Sequence, residues 1–300
     1  MDRVQSFRRD LLDAGLLRAT TVDGLYQRSA TFERIVRGME AMASAAGAGA
    51  YEPLLYFPPL MPRETFVKTD YLRSFPDLIG SVDVFTGGDR EHARLLELAD
   101  GDEDWSQALS PAEVTLCSAA CHPLYPSLSG RLPAEGRRLE VQGFCFRHEP
   151  SLEPTRMQSF RQHEFVYAGT PDAAVAHRDD WLETGLGLLA SLGLPVEKVV
   201  ANDPFFGRAG KMLATNQRDI ELKFEIVCPV ISEEAPTAIA SANYHLDHFG
   251  LPFAIETSDG SVAHTACIGF GLERITLALL ATHGLDVDAW PESVRHRLWP

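Results

Sequence analysis

The sequence is notable first for what it lacks. No apolar run approaches the length needed to cross a bilayer, so a membrane-spanning chain is not expected. It has neither a G-x-x-x-x-G-K-S/T phosphate loop nor a dinucleotide-binding glycine fingerprint. Any bound phosphate must therefore be held by side chains. No internal repeat or low-complexity tract is present. The five cysteines follow no regular framework, which argues for a reducing, cytoplasmic setting and against a disulfide scaffold. The opening stretch, MDRVQSFRRDLLDAGLL, has no uninterrupted apolar segment and reads as an amphipathic helix, not a secretory signal. Basic charge is scarce too. With 27 Lys and Arg against 42 Asp and Glu, the formal net charge is −15. That balance disfavours gripping a nucleic-acid backbone, although it permits a local basic patch.

What remains is an ordinary globular composition, 45% hydrophobic and 23% charged over 300 residues, enough for a sizeable core. Phe32, Ile35, Val36, Met39 and Met42 recur at helical spacing within Thr31–Ala45. The segment 54–62, LLYFPPLMP, reads as a strand running into prolines. Ser110-Pro-Ala-Glu113 has the form of a helix start, with Ser as N-cap. Strand-like segments follow at 138–147, 196–202, 222–230, 238–245 and 263–268, with helices expected at 171–194 and 270–282. Strands in succession with few intervening helices point to an α+β fold built on a mainly antiparallel sheet.

The most informative stretch is 143–169, GFCFRHEPSLEPTRMQSFRQHEFVYAG. Cys145, Arg147 and Glu149 alternate and share one strand face, as do Phe160, Gln162 and Glu164 on the return strand. A sheet face carrying Arg and two Glu makes a poor core but a suitable floor for a charged ligand. The connection is longer than hairpins usually need, and long loops are often functional.

This stretch resembles motif 2 of the class II aminoacyl-tRNA synthetases: Arg147-His-Glu149, a loop, then Arg156 separated by three residues from Phe160. The resemblance implies that Arg147 holds the α-phosphate of ATP. It also implies that Glu149, Arg156, Met157 and Phe160 hold the adenine end, with Phe160 stacked on the base. Guanidinium groups suit phosphate because their charge is permanent and their donors planar. Near the end, Cys267-Ile-Gly269-Phe-Gly271-Leu-Glu273-Arg274 resembles motif 3. Its glycines would let backbone pass close to the nucleotide, and Arg274 would clamp the γ-phosphate. The helix and strand at 31–62 resemble motif 1, the dimer-forming element; the same residues read equally as a core helix and a strand ended by Pro58. A class II catalytic core spanning 1–300 is the expected architecture, with 1–20 as a helical extension.

Cys121, Glu164 and Cys267 resemble the Cys, Glu, Cys zinc site of methanogen-type seryl-tRNA synthetases and of their tRNA-free relatives, the amino acid:[carrier protein] ligases. Thiolates and a carboxylate suit Zn²⁺, and three protein ligands leave one position open. In that family the substrate's α-amino group fills it. Otherwise these cysteines are small buried hydrophobes, the reading that suits Cys117, Cys145 and Cys228. The resemblance further implies that Lys223 and Ala238, Ile239, Ala240 and Ser241 touch ATP, with Glu164 and Asn243 on the amino acid; Lys223 also reads as a hydrated strand residue. Only a short helix precedes the core and no tRNA-binding module is seen.

The resemblance therefore implies activation of glycine or alanine with ATP and Mg²⁺, then transfer to the phosphopantetheine thiol of a carrier protein, by a homodimer that does not use tRNA. Arg208 and Lys211 are candidates for carrier docking, or simply solvated charges. The alternatives are a truncated seryl-type synthetase and a non-catalytic regulatory paralogue.

Overall fold

The computed structural model describes residues 3–201 and 221–300. A seven-stranded sheet organises it: β1 (Glu52–Phe57), β2 (Arg137–Phe146), β3 (Ser159–Gly169), β4 (Glu197–Ala201), β5 (Lys223–Cys228), β6 (Thr237–Tyr244) and β7 (His264–Gly271). Across the sheet the order is β4-β5-β6-β7-β3-β2-β1. Every neighbouring pair is antiparallel except β1 with β2. This is the α+β, mainly antiparallel architecture that the strand succession implied.

Period-two alternation gives the sheet two different faces. On β3, Phe165 joins the main core with Ile268 and Phe270 of β7. Helices cover that face: α1 (Ala30–Gly47), α2 (Pro171–Ala190) and α3 (Leu272–His283). The α1 residues Phe32, Ile35, Val36 and Met39 are buried at the expected spacing, and the Ser29 hydroxyl caps the helix by accepting from Phe32 N at 3.2 Å. At the other end of α1, Gly47 lies flat against the Phe165 ring, where a Cβ would overlap it. Trp181 of α2 stacks on the same ring, centroids 3.9 Å apart. Leu11, Leu16 and Leu17 from the N-terminal segment enter this core as well.

The opposite face is polar toward β5 and β6. Near β2, a second cluster including Tyr125, Phe249 and Phe253 packs on it. The segment Ser110–Leu116 is not the expected helix. It is the central strand of a three-stranded sheet, paired antiparallel with Leu60–Pro62 and Ser81–Val84. Its Val-Thr-Leu end finds strand partners on both sides, and that pairing outweighs a local cap signal. Among the described residues no helix is long and apolar enough to cross a membrane.

Candidate active site

The β2–β3 hairpin runs in register from Arg137 opposite Ala168 to Phe146 opposite Ser159. One more backbone bond, Arg147 N to Gln158 O at 2.9 Å, continues the pairing into the loop. Arg147 thus leaves the sheet edge held rather than loose. Its Nε donates to Ser118 O at 3.3 Å, and its guanidinium lies over the Phe160 ring at 5.4 Å. Arg156, within the loop, pairs with Glu149 at 3.5 Å and Glu153 at 3.4 Å.

From the other side comes Arg274, set in the first turn of α3 by the strand-to-helix junction at Gly271. Its Nε donates to Thr155 O at 2.9 Å and an Nη to Ala238 O at 3.0 Å. Burial, together with the nearby Arg147 charge, pushes it down to about 10. It stays cationic at neutral pH. The cavity between these arginines measures about 790 Å³, and Glu149, Met157, Phe160, Lys223 and the run Ala238–Ser241 line it with them. Lys223 Nζ sits 3.3 Å from Glu225 Oε1. The structure therefore brings every residue assigned to the nucleotide into one space.

A second cavity, about 640 Å³, opens beside the first, and Arg147, Gln162, Ser241 and Gly269 line both. At its inner end Cys121, Glu164 and Cys267 offer ligand atoms within 4.8 Å of one another, all three residues buried. Their placement follows from register. Glu164 stands opposite Gly269 on β7, and Cys267, two residues along, shares its face. Cys121 arrives from the turn before the 3₁₀ segment His122–Leu128.

The chemistry of this trio fits a metal. Burial, then the neighbouring Cys267 sulfur, pushes Glu164 up to about 8. Its Oε1 accepts from Ala120 N at 3.2 Å, but its Oε2 is buried with no hydrogen-bond partner. The Cys121 thiol hydrogen-bonds to Cys267, which draws Cys267 well down and leaves Cys121 well up. A dry carboxylate crowded by two thiols with an orphaned oxygen is costly alone. A divalent cation removes the cost, because its charge favours the ionised form of each donor. Asn243 Nδ2 reaches Ser241 Oγ at 3.3 Å and Cys267 Sγ at 3.8 Å. His245 Nε2 lies 3.6 Å from the same sulfur. The other cysteines differ: Cys117 donates to Ala119 O at 3.0 Å, Cys145 to Gln162 Oε1 at 3.0 Å, and Cys228 lies in the main core.

No protein-family model matches the chain. Individual relatives do. It is 43% identical over 275 residues to amino acid–[acyl-carrier-protein] ligase 1 of Bradyrhizobium diazoefficiens, spanning 91% of this chain and 84% of that protein. Ligase 2 of the same organism is 43% identical over 277 residues, spanning 92% and 83%. The chain belongs to the amino acid–[acyl-carrier-protein] ligase family. More distantly, this ligase-family chain is 29% identical over 280 residues to the type-2 serine–tRNA ligase of Methanopyrus kandleri, covering 83% of itself but 51% of that protein. Solved structures agree on the fold. The M. kandleri seryl-tRNA synthetase, crystallised with A. aeolicus tRNASec, superposes with a TM-score of 0.80 over 99% of this chain and 60% of that one, at 24% identity. The Pyrococcus horikoshii seryl-tRNA synthetase complexed with ATP gives 0.72 over 97% and 62%, at 14%. The class II synthetase-like core is thereby established.

Several residues of this ligase-family site escaped the sequence reading. Glu273, immediately before Arg274, accepts from Arg161 N at 2.6 Å, from Arg161 Nε at 2.8 Å and from Arg28 at 2.8 Å. Arg161 is also bidentate to Glu33 of α1, at 2.7 and 2.9 Å. The only hint in the sequence was the adjacency of Glu273 and Arg274. Tyr71 and Phe75 line both cavities, and His122 walls the second, held neutral near a pKa of 3 mainly by burial. Nothing in their local pattern marks them. Arg208 and Lys211 lie outside the described residues.

Proposed function

We propose that this chain activates a small amino acid, glycine or alanine, with ATP and passes it to the phosphopantetheine thiol of a carrier protein. The observation that carries the reading is the junction of two cavities. One is flanked by Arg147 and Arg274; the other ends at Cys121, Glu164 and Cys267; Arg147 lines both. A carboxylate whose amine points toward Glu164 would have its oxygens beside Arg147, where an α-phosphate would also sit. The names of the relatives in B. diazoefficiens supply the acceptor.

In the first step a carboxylate oxygen of the amino acid bonds to the α-phosphorus and the bond to pyrophosphate breaks. The nucleophile is already ionised, so positioning and charge stabilisation suffice. Arg147 offers donors where charge builds on the α-phosphate, and Arg274 faces the departing pyrophosphate, which travels with Mg²⁺. Glu149, Arg156, Met157 and Phe160 hold the base, and Lys223 with Ala238–Ser241 completes that pocket. In the second step the carrier sulfur bonds to the activated carbonyl, its proton is lost and AMP leaves with the bonding pair. Zinc, when bound by Cys121, Glu164 and Cys267, supplies an open position for a neutral amine. Asn243, whose Nδ2 lies 3.8 Å from the Cys267 sulfur, would flank the amine, and the bulk of Tyr71, His122 and Phe249 in the cavity wall would limit the side chain to a small one.

The buried free cysteines support a reducing, cytoplasmic compartment. The motif 1-like α1 and β1, the latter with Tyr56 72% exposed, support a homodimer of one catalytic domain per chain. The deciding experiment supplies ATP, a small amino acid and either holo-carrier protein or tRNA. Thioester on the carrier without charged tRNA supports the proposal. Charged tRNA alone favours a seryl-type synthetase, and product on neither favours a regulatory paralogue.

A further inference from the structure

The geometry points to the N-terminal hairpin, Leu17–Ala19 paired with Tyr26–Arg28, as a positioning part of the nucleotide site. This inference rests on the reading of the larger cavity as an ATP site. The hairpin contributes no lining residue to that cavity, yet it grips both sides of it.

At its turn, the carbonyls of Asp23 and Gly24 accept from Gln158. Gln158 Nε2 donates to Asp23 O at 2.7 Å, and Gln158 N donates to Gly24 O at 2.9 Å. Gln158 is 4% exposed and is the last loop residue before β3. Gly24 has φ +79°, and a Cβ there would stand 3.1 Å from Gln158 Cγ and 3.2 Å from Arg156 O. A side chain is excluded twice, by the left-handed backbone and by the close approach of the loop. At its other end, Arg28 donates to Glu273 Oε1 at 2.8 Å and its Nε lies 3.1 Å from Glu33. Glu273 accepts in turn from Arg161, the neighbour of Phe160, and precedes Arg274.

One short hairpin thus fixes the C-terminal foot of the loop that carries Glu149, Arg156 and Met157, and braces the start of the helix that carries Arg274. Arg274 closes the frame by donating to Thr155 O in the same loop. Ordering a loop costs conformational entropy. If that cost is met during folding, ATP does not bear it on binding. Gln158, Gly24 and Arg28 are therefore positioning residues, acting through the loop and Glu273 rather than on the nucleotide.

The test uses the full chain with Gln158→Met, which keeps volume but removes the side-chain donor, and with Arg28→Met and Arg28→Lys. The readouts are deuterium uptake by residues 149–158 without ligand, and the Kd for ATP with Mg²⁺ by calorimetry. Expected for Gln158→Met are faster uptake across the loop and an ATP Kd raised about three- to tenfold, the worth of one buried hydrogen bond. Amino-acid affinity stays within about twofold of wild type, a separation that general loss of stability would not give. Arg28→Lys keeps more ATP affinity than Arg28→Met, because an ammonium still reaches Glu273. Loop uptake and ATP Kd both unchanged in Gln158→Met and Arg28→Met would overturn the inference. A wild-type chain that binds no ATP would instead remove the reading of the cavity, and unchanged loop uptake would still overturn the positioning role.

Discussion

The Glu164 side chain lies across Gly269, its register partner on the neighbouring strand, with Cγ 3.4 Å from where a Cβ at 269 would stand. A Cβ at 269 would meet Glu164 at ordinary van der Waals distance, so alanine fits there, whereas a branched side chain would press on the carboxylate. Gly269→Ala is therefore expected to leave Glu164 in place, and the branched side chain of Gly269→Val to displace it. Zinc per chain, measured by elemental analysis after dialysis, should be similar in wild type and Gly269→Ala and lower in Gly269→Val, because metal sites tolerate only about 0.2 Å of error in ligand distance. Full zinc occupancy in Gly269→Val would contradict this placement.

Under the proposed function Arg147 and Arg274 would serve the same triphosphate differently, so their loss should read differently. Arg147→Ala is expected to lower kcat for amino-acid-dependent pyrophosphate exchange by about 10²–10³-fold, the usual cost of removing a donor aimed at developing charge. Arg274→Ala should also weaken ATP binding and loosen the loop it holds at Thr155. Kinetics at saturating ATP, beside a direct ATP Kd, separate the two. Equal effects of both substitutions on Kd alone would contradict the assignment.

The buried ion network makes a stability prediction. Glu273, 1% exposed, faces two guanidinium groups. Glu273→Ala leaves Arg161 paired with Glu33 alone and strands its backbone N–H and Nε in a dry setting, which typically costs about 1–3 kcal/mol. Urea unfolding followed by circular dichroism would register it. A change below about 1 kcal/mol would mean that Glu33 alone satisfies Arg161.

His177 carries an acid sensitivity. It is buried in α2, its Nε2 2.7 Å from the Tyr51 hydroxyl. Burial, helped by Arg138, pushes its pKa from 6.5 down to about 3. The unfolded chain therefore takes up a proton between about 6.5 and 3 that the folded chain refuses. Its contribution to stability is complete above pH 6.5 and is lost as pH falls through that window, by at most about 1.4 kcal/mol per pH unit. His177→Gln should flatten that part of the unfolding profile. A profile as steep as wild type between pH 6.5 and 4 would contradict the role.

The legible parts of the site were those whose chemistry sits in short spacing. Arg147, Glu149 and Glu164 announced a charged surface because no core wants them; the strand expected to carry the first two ends at Phe146, so Glu149 lies in the loop beyond it. The α1 stripe was equally readable, since Phe32, Ile35, Val36 and Met39 are buried and Met42 packs partly buried against them. Ser110 misled because its cap geometry was never realised; pairing with Ser81–Val84 and Leu60–Pro62 decided that segment, and partners distant in sequence leave no local trace. Arg161 and Glu273 were hidden for the same reason. Each looks like a surface charge until the fold sets them 2.8 Å apart.

The most direct test of the central claim is exchange of labelled pyrophosphate into ATP by the purified, zinc-loaded chain against each amino acid in turn. The account predicts exchange that depends on glycine or alanine, falls away with larger side chains, and is abolished in Arg147→Ala. Exchange with no amino acid, or exchange that persists in Arg147→Ala, would contradict it.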